Sequence, residues 1–235
     1  MATRKRIGIV CNMNEGRIGI GRKYARYFSK FGTVVLLNPL DRTVNDIDLL
    51  VLPGGADVNP DRYNEPRDLL TQRQDPFFED FDNHVLPLYV EAGTPIFGIC
   101  RGFQSGSVFF GAKLNQHVDN YYSTKSRGEL VDSIFLTNVD ALDIPQLSKF
   151  PTRRVTNNDI KKLPKVNSLH HQTVALHPGA SSGEMFGLAF NVLDGECEAG
   201  YAASYPFIGV QWHPEELKNP VISNLLIKSL LDENN

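Results

Sequence analysis

The stretch that most constrains this chain is Thr94-Pro95-Ile96-Phe97-Gly98-Ile99-Cys100-Arg101-Gly102-Phe103-Gln104. An apolar, strand-like run ends at Cys100, and a helix-like run from Gly102 to Phe110 follows it directly. Glycines stand two residues to either side of the cysteine. So tight a strand-to-helix turn forces its corner residue into an unfavourable backbone conformation and needs small neighbours. The first helical turn adds free N–H groups and the positive end of the helix dipole, a field that favours a thiolate. The pattern predicts a cysteine nucleophile elbow, the thiol counterpart of the Gly-x-Ser-x-Gly turn. A small buried cysteine is the competing reading.

The segments around the elbow alternate in the same way. Arg6 to Cys11, Thr33 to Leu37 and Asp48 to Leu52 read as buried strands, and Ile20 to Phe31 as a helix. Asp75 to Ala92 reads as one helix, with Phe78, Phe81, Val85, Leu86 and Tyr89 at spacings of three and four. Further strands are expected at Ser133 to Thr137, Gln172 to Leu176, Gly187 to Val192 and Phe207 to Gln211. A closing helix starts at Asn219-Pro220 and runs to about Leu231. Asp143 to Lys165 carries few helix or strand signals and is expected to be a loop or cover over the site. The alternation predicts an α/β fold, three layers in αβα order around a mostly parallel sheet. One domain over residues 1–235 accommodates all of it.

Two distant segments complete a chemistry for Cys100. His213 follows the predicted strand ending at Gln211, and Glu215 stands two residues further on. A histidine can take the thiol proton, and a carboxylate on its far nitrogen fixes the tautomer. His-Pro-Glu in isolation is more often a surface turn. Leu52-Pro53-Gly54-Gly55-Ala56-Asp57 places consecutive glycines after a strand, where backbone N–H groups can approach a ligand. The N–H of Gly55 and that of Arg101 can together form an oxyanion hole; Pro-Gly-Gly is also ordinary turn chemistry. The Arg101 side chain can pair with a carboxylate of substrate or of protein. These residues predict an enzyme that cleaves an acyl bond through a thioester.

Composition narrows the partners. A net charge of −3 gives no electrostatic reason to expect nucleic acid or an anionic membrane. No apolar run approaches the ~20 residues of a membrane span. The basic N-terminus lacks the apolar core of a signal peptide. Three widely spaced cysteines make no disulfide framework, and the cytoplasm is the expected compartment. Cys11 reads as a buried strand residue, and Cys197, between Glu196 and Glu198, sits in a setting that disfavours a thiolate. His170 and His171 are adjacent, with no Cys or Asp partner at metal-ligand spacing, so no metal is expected. His84, His117 and His177 read as helix or loop residues without partners. Tyr121-Tyr122 reads as loop packing.

In this order the motifs resemble class I glutamine amidotransferases, a flavodoxin-like fold. They are most similar to the branch of γ-glutamyl hydrolases, peptidase group C26, that includes γ-glutamyl-GABA hydrolase. Leu52 to Tyr63 resembles that branch's oxyanion strand and loop, and Phe97 to Gln104 its nucleophile elbow. Val166 to Gln172 resembles its substrate-side motif, and Gly209 to Glu215 its histidine–glutamate motif. The resemblance spans roughly residues 6–231. It implies Cys100 as nucleophile, His213 as base and then acid, and Glu215 as the orienting carboxylate. It implies oxyanion N–H groups from Gly55 and Arg101. It implies a glutamyl pocket lined by Gly54, Gln104, Ser168, Leu169, His170 and His171. No metal or organic cofactor is implied.

The chain departs from the family pattern after Gln104, where Ser105 to Leu114 replaces an Asn and Gly-Gly-Thr-Leu run, and again over Asp119 to Lys125. Gly106 weakens the elbow helix by up to ~1 kcal/mol relative to alanine. Three functions stay open: a free-standing hydrolase of a small-molecule γ-glutamyl conjugate, a glutaminase handing ammonia to a synthase partner, and a non-catalytic binding module. A homo-oligomer is open as well.

Overall fold

The computed structural model describes residues 4–14, 17–118, 128–152, 160 and 163–232. In chain order the elements are β1 (Arg6–Val10), β2 (Asn12–Asn14), β3 (Arg17–Gly19), α1 (Arg22–Phe28), β4 (Thr33–Leu37) and β5 (Leu49–Leu52). Then come α2 (Pro76–His84), α3 (Leu86–Glu91), β6 (Ile96–Ile99), α4 (Arg101–Phe109), β7 (Leu114–Asn115) and β8 (Asp132–Leu136). The last are β9 (Lys165–Val166), β10 (Thr173–Val174), β11 (Ser181–Ser182), β12 (Met185–Asn191), β13 (Cys197–Ala202), β14 (Phe207–Val210) and α5 (Val221–Asp232).

The main sheet runs in the order β4-β1-β5-β6-β14-β13-β12-β8-β9. Strands β4, β1, β5, β6 and β14 are mutually parallel. From β14 outward through β13, β12, β8 and β9 the sheet continues antiparallel. The central strands are nearly continuous apolar runs because both of their faces are covered. Leu49, Val51, Phe97 and Ile99 pack on the side of Phe28 from α1 and Leu226, Ile227 and Leu230 from α5. Leu50, Leu52 and Ile96 face Phe78 and Phe81 of α2, Leu86 and Tyr89 of α3, and Phe103 of α4. This is the expected three-layer αβα arrangement. Trp212, 1 % exposed, joins sheet and outer layer by donating its indole N–H to Ser223 Oγ of α5 at 2.9 Å.

Some elements differ from the expectation. The single helix over Asp75 to Ala92 is two helices, α2 and α3. Pro87, in the first turn of α3, has no N–H to continue the ladder, and α2 closes at Val85. The strand expected over Gln172 to Leu176 is confined to Thr173–Val174. Strand β13 lies in a stretch where no strand was expected. It is buried along its whole length despite carrying Glu198 and Gly200. The hairpin β2–β3 is a further addition. In the segment expected to be a loop or cover, a 3-10 turn at Pro145–Lys149 packs on α5, and residues 153–159, 161 and 162 lie outside the described residues. Asp119 to Lys125, with Tyr121-Tyr122, lies outside the described residues.

Candidate active site

Cys100 occupies the corner between β6 and α4 with φ 51° and ψ −110°. That left-handed φ in a residue with a side chain is strained, at a cost of order 1–3 kcal/mol. Its N–H donates to Val210 O of β14 at 2.8 Å, and its carbonyl accepts from Gln104 N at 3.0 Å. The glycines on either side are sterically required. A Cβ on Gly102 would lie 2.1 Å from Leu52 O, and one on Gly98 would lie 2.7 Å from the Phe103 backbone. The expected elbow is therefore present in its backbone geometry.

His213 and Glu215 meet beside it. His213 Nδ1 lies 2.6 Å from Glu215 Oε1, and both residues are buried. Burial works against the imidazolium. The neighbouring Cys100 sulfur and the Glu215 carboxylate outweigh burial and raise the His213 pKa. With Nδ1 committed to the carboxylate, Nε2 is the nitrogen left for the thiol. Asn167 clamps the histidine's backbone, accepting from His213 N at 2.9 Å and donating to its carbonyl at 3.3 Å. The Tyr24 hydroxyl accepts from Gly54 N at 3.0 Å and lies 3.4 Å from His213 Nδ1. Gly54 packs on the ring itself, since a Cβ there would stand 2.7 Å from His213 Cε1. Its N–H is thus committed to Tyr24.

A cleft of about 380 Å³ contains Cys100 and is lined by Gly55, Asp57, Gln72, Gln104, His117 and Leu169 to His171, among others. Gln104 is held rigidly, donating to Gln172 O at 2.8 Å and Gln211 Oε1 at 3.1 Å. His170 lies within bonding reach of Gln172 O through Nδ1 (3.0 Å) and of Ser168 Oγ through Nε2 (3.2 Å). Burial, ahead of the other influences, lowers its pKa to about 4. His171 Nε2 faces Asp57 Oδ1 at 3.2 Å, and its Nδ1 lies 3.4 Å from Nδ1 of His117. So His117, expected to lack partners, has one, and His84 pairs with Asp80 at 3.2 Å within α2. Of the residues predicted for the site, Gly55, Cys100, Gln104, Leu169, His170 and His171 line this cleft. His213 and Glu215 pair beside Cys100, the Arg101 side chain turns to Asp82, Gly54 packs on the His213 ring and Ser168 on His170.

Asp132, His170 and Glu198 bring potential ligand atoms within 4.8 Å of one another. Burial and the neighbouring Asp132 carboxylate push the Glu198 pKa well up, and burial also raises that of Asp132. Asp132 Oδ1 accepts from Asn191 at 3.0 Å. His170 is engaged at both nitrogens, with Gln172 O and with Ser168 Oγ. Cys11 and Cys197 are buried, and burial raises both thiols. The Arg101 guanidinium pairs with a carboxylate of the protein, Asp82, at 2.5 Å.

Sequence reasoning missed Tyr24, Asp57, Asp82, His117, Asn167 and Glu198 as parts of this neighbourhood. Asn167 and Asp57 lie inside motifs already recognised. Nothing local distinguishes Tyr24, Asp82 or Glu198, whose partners are remote in the chain.

The architecture and elbow define the class of fold shared by glutamine amidotransferases. A putative GMP synthase component from Thermoplasma acidophilum superposes with a TM-score of 0.62 at 17 % identity, covering 99 % of this chain and 94 % of the other. A glutamine amidotransferase from Thermotoga maritima gives 0.57 at 16 % identity, covering 99 % and 98 %. The chain itself belongs to the Peptidase C26 family, which it matches over residues 7–215. It is 30 % identical over 200 residues to the putative glutamine amidotransferase-like protein YvdE of Lactococcus lactis, covering 80 % of this chain and 77 % of that one. It is also 30 % identical over 243 residues to the putative glutamine amidotransferase-like protein RP404 of Rickettsia prowazekii, covering 85 % and 83 %. No helix among the described residues is long and apolar enough to cross a membrane.

Proposed function

We propose that the chain, acting as one domain, hydrolyses the γ-glutamyl amide bond of a small conjugate such as γ-glutamyl-GABA, releasing glutamate and an amine. The observation that carries this reading is the strained Cys100 at the head of α4, beside a His213 whose Nδ1 meets Glu215 at 2.6 Å. The Cys100 proton resides on His213, and the resulting thiolate attacks the γ-carbonyl. The tetrahedral oxyanion is received by the N–H groups of Gly55 and Arg101. As the C–N bond breaks, His213 returns the proton to the leaving amine. Water then attacks the γ-glutamyl thioester with His213 as base, and glutamate leaves. Gln104 and the 168–171 segment hold the glutamyl group, and the Asp57, Gln72 and His117 side of the cleft faces the amine. Membership of Peptidase C26 supports the hydrolase assignment.

A second reading is a glutaminase that passes ammonia to a synthase. It is favoured by the likeness to PurLQS of Thermotoga maritima and to a putative GMP synthase component. Glutamate release by the purified chain separates the two. Fast release from γ-glutamyl amides but not from glutamine supports the free-standing hydrolase. Release confined to slow glutamine hydrolysis supports the ammonia donor.

A further inference from the structure

We infer that Asp82 is a positioning residue for the oxyanion site, acting through Arg101 and assisted by Phe78 one helical turn away. The inference rests on the proposed hydrolase reading, in which Gly55 and Arg101 supply the two N–H groups.

Residues 78 and 82 are four apart on α2, so both side chains leave the same face of the helix. That face meets the two residues that matter. The Arg101 guanidinium bonds Asp82 Oδ2 at 2.5 Å, and its carbon lies 5.0 Å from the centre of the Phe78 ring. The same ring abuts Gly55, where a Cβ would come within 2.8 Å of Phe78 Cε2 and 3.7 Å of Arg101 Cδ. Gly55 follows β5, and Arg101 opens α4. The α2 face is therefore a common wall against which the two donors, from separate elements, are registered.

The wall is braced from a third direction. Asp82 Oδ2 also accepts from Arg62 Nη1 at 2.8 Å, and the same nitrogen donates to Ser105 Oγ of α4 at 2.9 Å. Arg62, Asp82 and Arg101 are all nearly buried, with side chains 10 %, 1 % and 5 % exposed. Surface ion pairs of this kind contribute little. A buried pair is instead geometrically exacting, since breaking it strands a charge. Two guanidiniums share one carboxylate oxygen, while Asp82 Oδ1 and Arg101 Nε have no hydrogen-bond partner among the described residues. Stability alone would be served as well by apolar side chains in this place. What the cluster adds is a fixed position for residue 101, whose backbone N–H must point at a developing charge within a few tenths of an ångström.

The test compares the full chain with Asp82→Asn, and with Asp82→Ala combined with Arg62→Met and Arg101→Met, which keeps the residue-101 N–H and leaves neither guanidinium unpaired if the single variant does not fold. Three quantities are read: kcat and KM for a γ-glutamyl amide, affinity for a γ-glutamyl aldehyde whose thiohemiacetal oxygen occupies the oxyanion site, and the rate of Cys100 alkylation by iodoacetamide. Displacement of a donor should lower kcat about tenfold, below the ~10²–10³ cost of removing one. KM should stay within about twofold. Aldehyde affinity should fall by the same factor as kcat, and alkylation should stay within about twofold. Unchanged kcat, or a parallel loss of kcat and alkylation, would overturn the inference. Absence of turnover by the unaltered chain, with alkylation intact, would overturn the hydrolase reading and the inference with it.

Discussion

Glu215 Oε1 lies 2.6 Å from His213 Nδ1, with the Glu215 side chain 1 % exposed. The pair fixes which ring nitrogen faces Cys100 and helps to keep the imidazole protonated. Replacing Glu215 with Ala should lower kcat by ~10²–10⁴, the range seen when the orienting carboxylate of a triad is lost. KM should change far less. Steady-state kinetics with a γ-glutamyl amide checks this, and a loss confined to KM would argue against an orienting role.

Asn167 binds both backbone polar groups of His213 and is fully buried. Asn167→Ala leaves an N–H and a carbonyl unsatisfied in the interior, at about 1–3 kcal/mol each. Chemical denaturation should show a loss of about 2–6 kcal/mol, with activity falling further than the unfolded fraction explains because the ring is no longer held.

Tyr24 reaches the site from α1 and takes the Gly54 N–H. Tyr24→Phe should cost about 1–3 kcal/mol of stability and lower kcat modestly, several-fold rather than by orders of magnitude. Thermal unfolding and kinetics on the same preparation test the two parts separately.

His170 gives a pH dependence with a definite sign. Its folded-state pKa is lowered to about 4 from an ordinary 6.5, with burial the largest cause. Above pH 6.5 both folded and unfolded chains carry it neutral, and its contribution is fully present. As pH falls towards 4 the unfolded chain takes up a proton that the folded one refuses, and stability is lost at up to about 1.4 kcal/mol per pH unit. The raised pKa values of Glu198 and Asp132 act in the opposite sense. Comparison with His170→Asn isolates the histidine, since those carboxyls are common to both proteins. The stability difference should shift against the unaltered protein by about 3 kcal/mol between pH 7 and pH 4. A pH-independent difference would contradict the assignment.

How much of this was legible in the sequence follows from where each partner lies in the chain. The strand-turn-helix at Cys100 is local, and its glycines and apolar run declare it. Gly106, read as a weak point in α4, is instead where the Phe207 ring packs, within 2.4 Å of where a Cβ would stand. That contact joins residues a hundred positions apart, and no local pattern encodes it. Strand β13 escaped notice because Glu198 interrupts its apolar run. Burial, with Asp132 close by, raises the pKa of that carboxyl and so favours its neutral form. The Arg101 side chain could not be assigned from sequence because its partner, Asp82, looks like any polar residue on an amphipathic helix.

On the proposed mechanism, Cys100 carries a γ-glutamyl group during turnover. Acid-quenching the enzyme in the presence of a γ-glutamyl amide, followed by mass spectrometry of its peptides, tests this most directly. One added glutamyl group is expected on the peptide containing Cys100, absent from Cys100→Ala, which should also be inactive yet folded. Turnover by Cys100→Ala, or an adduct on any other residue, would contradict it.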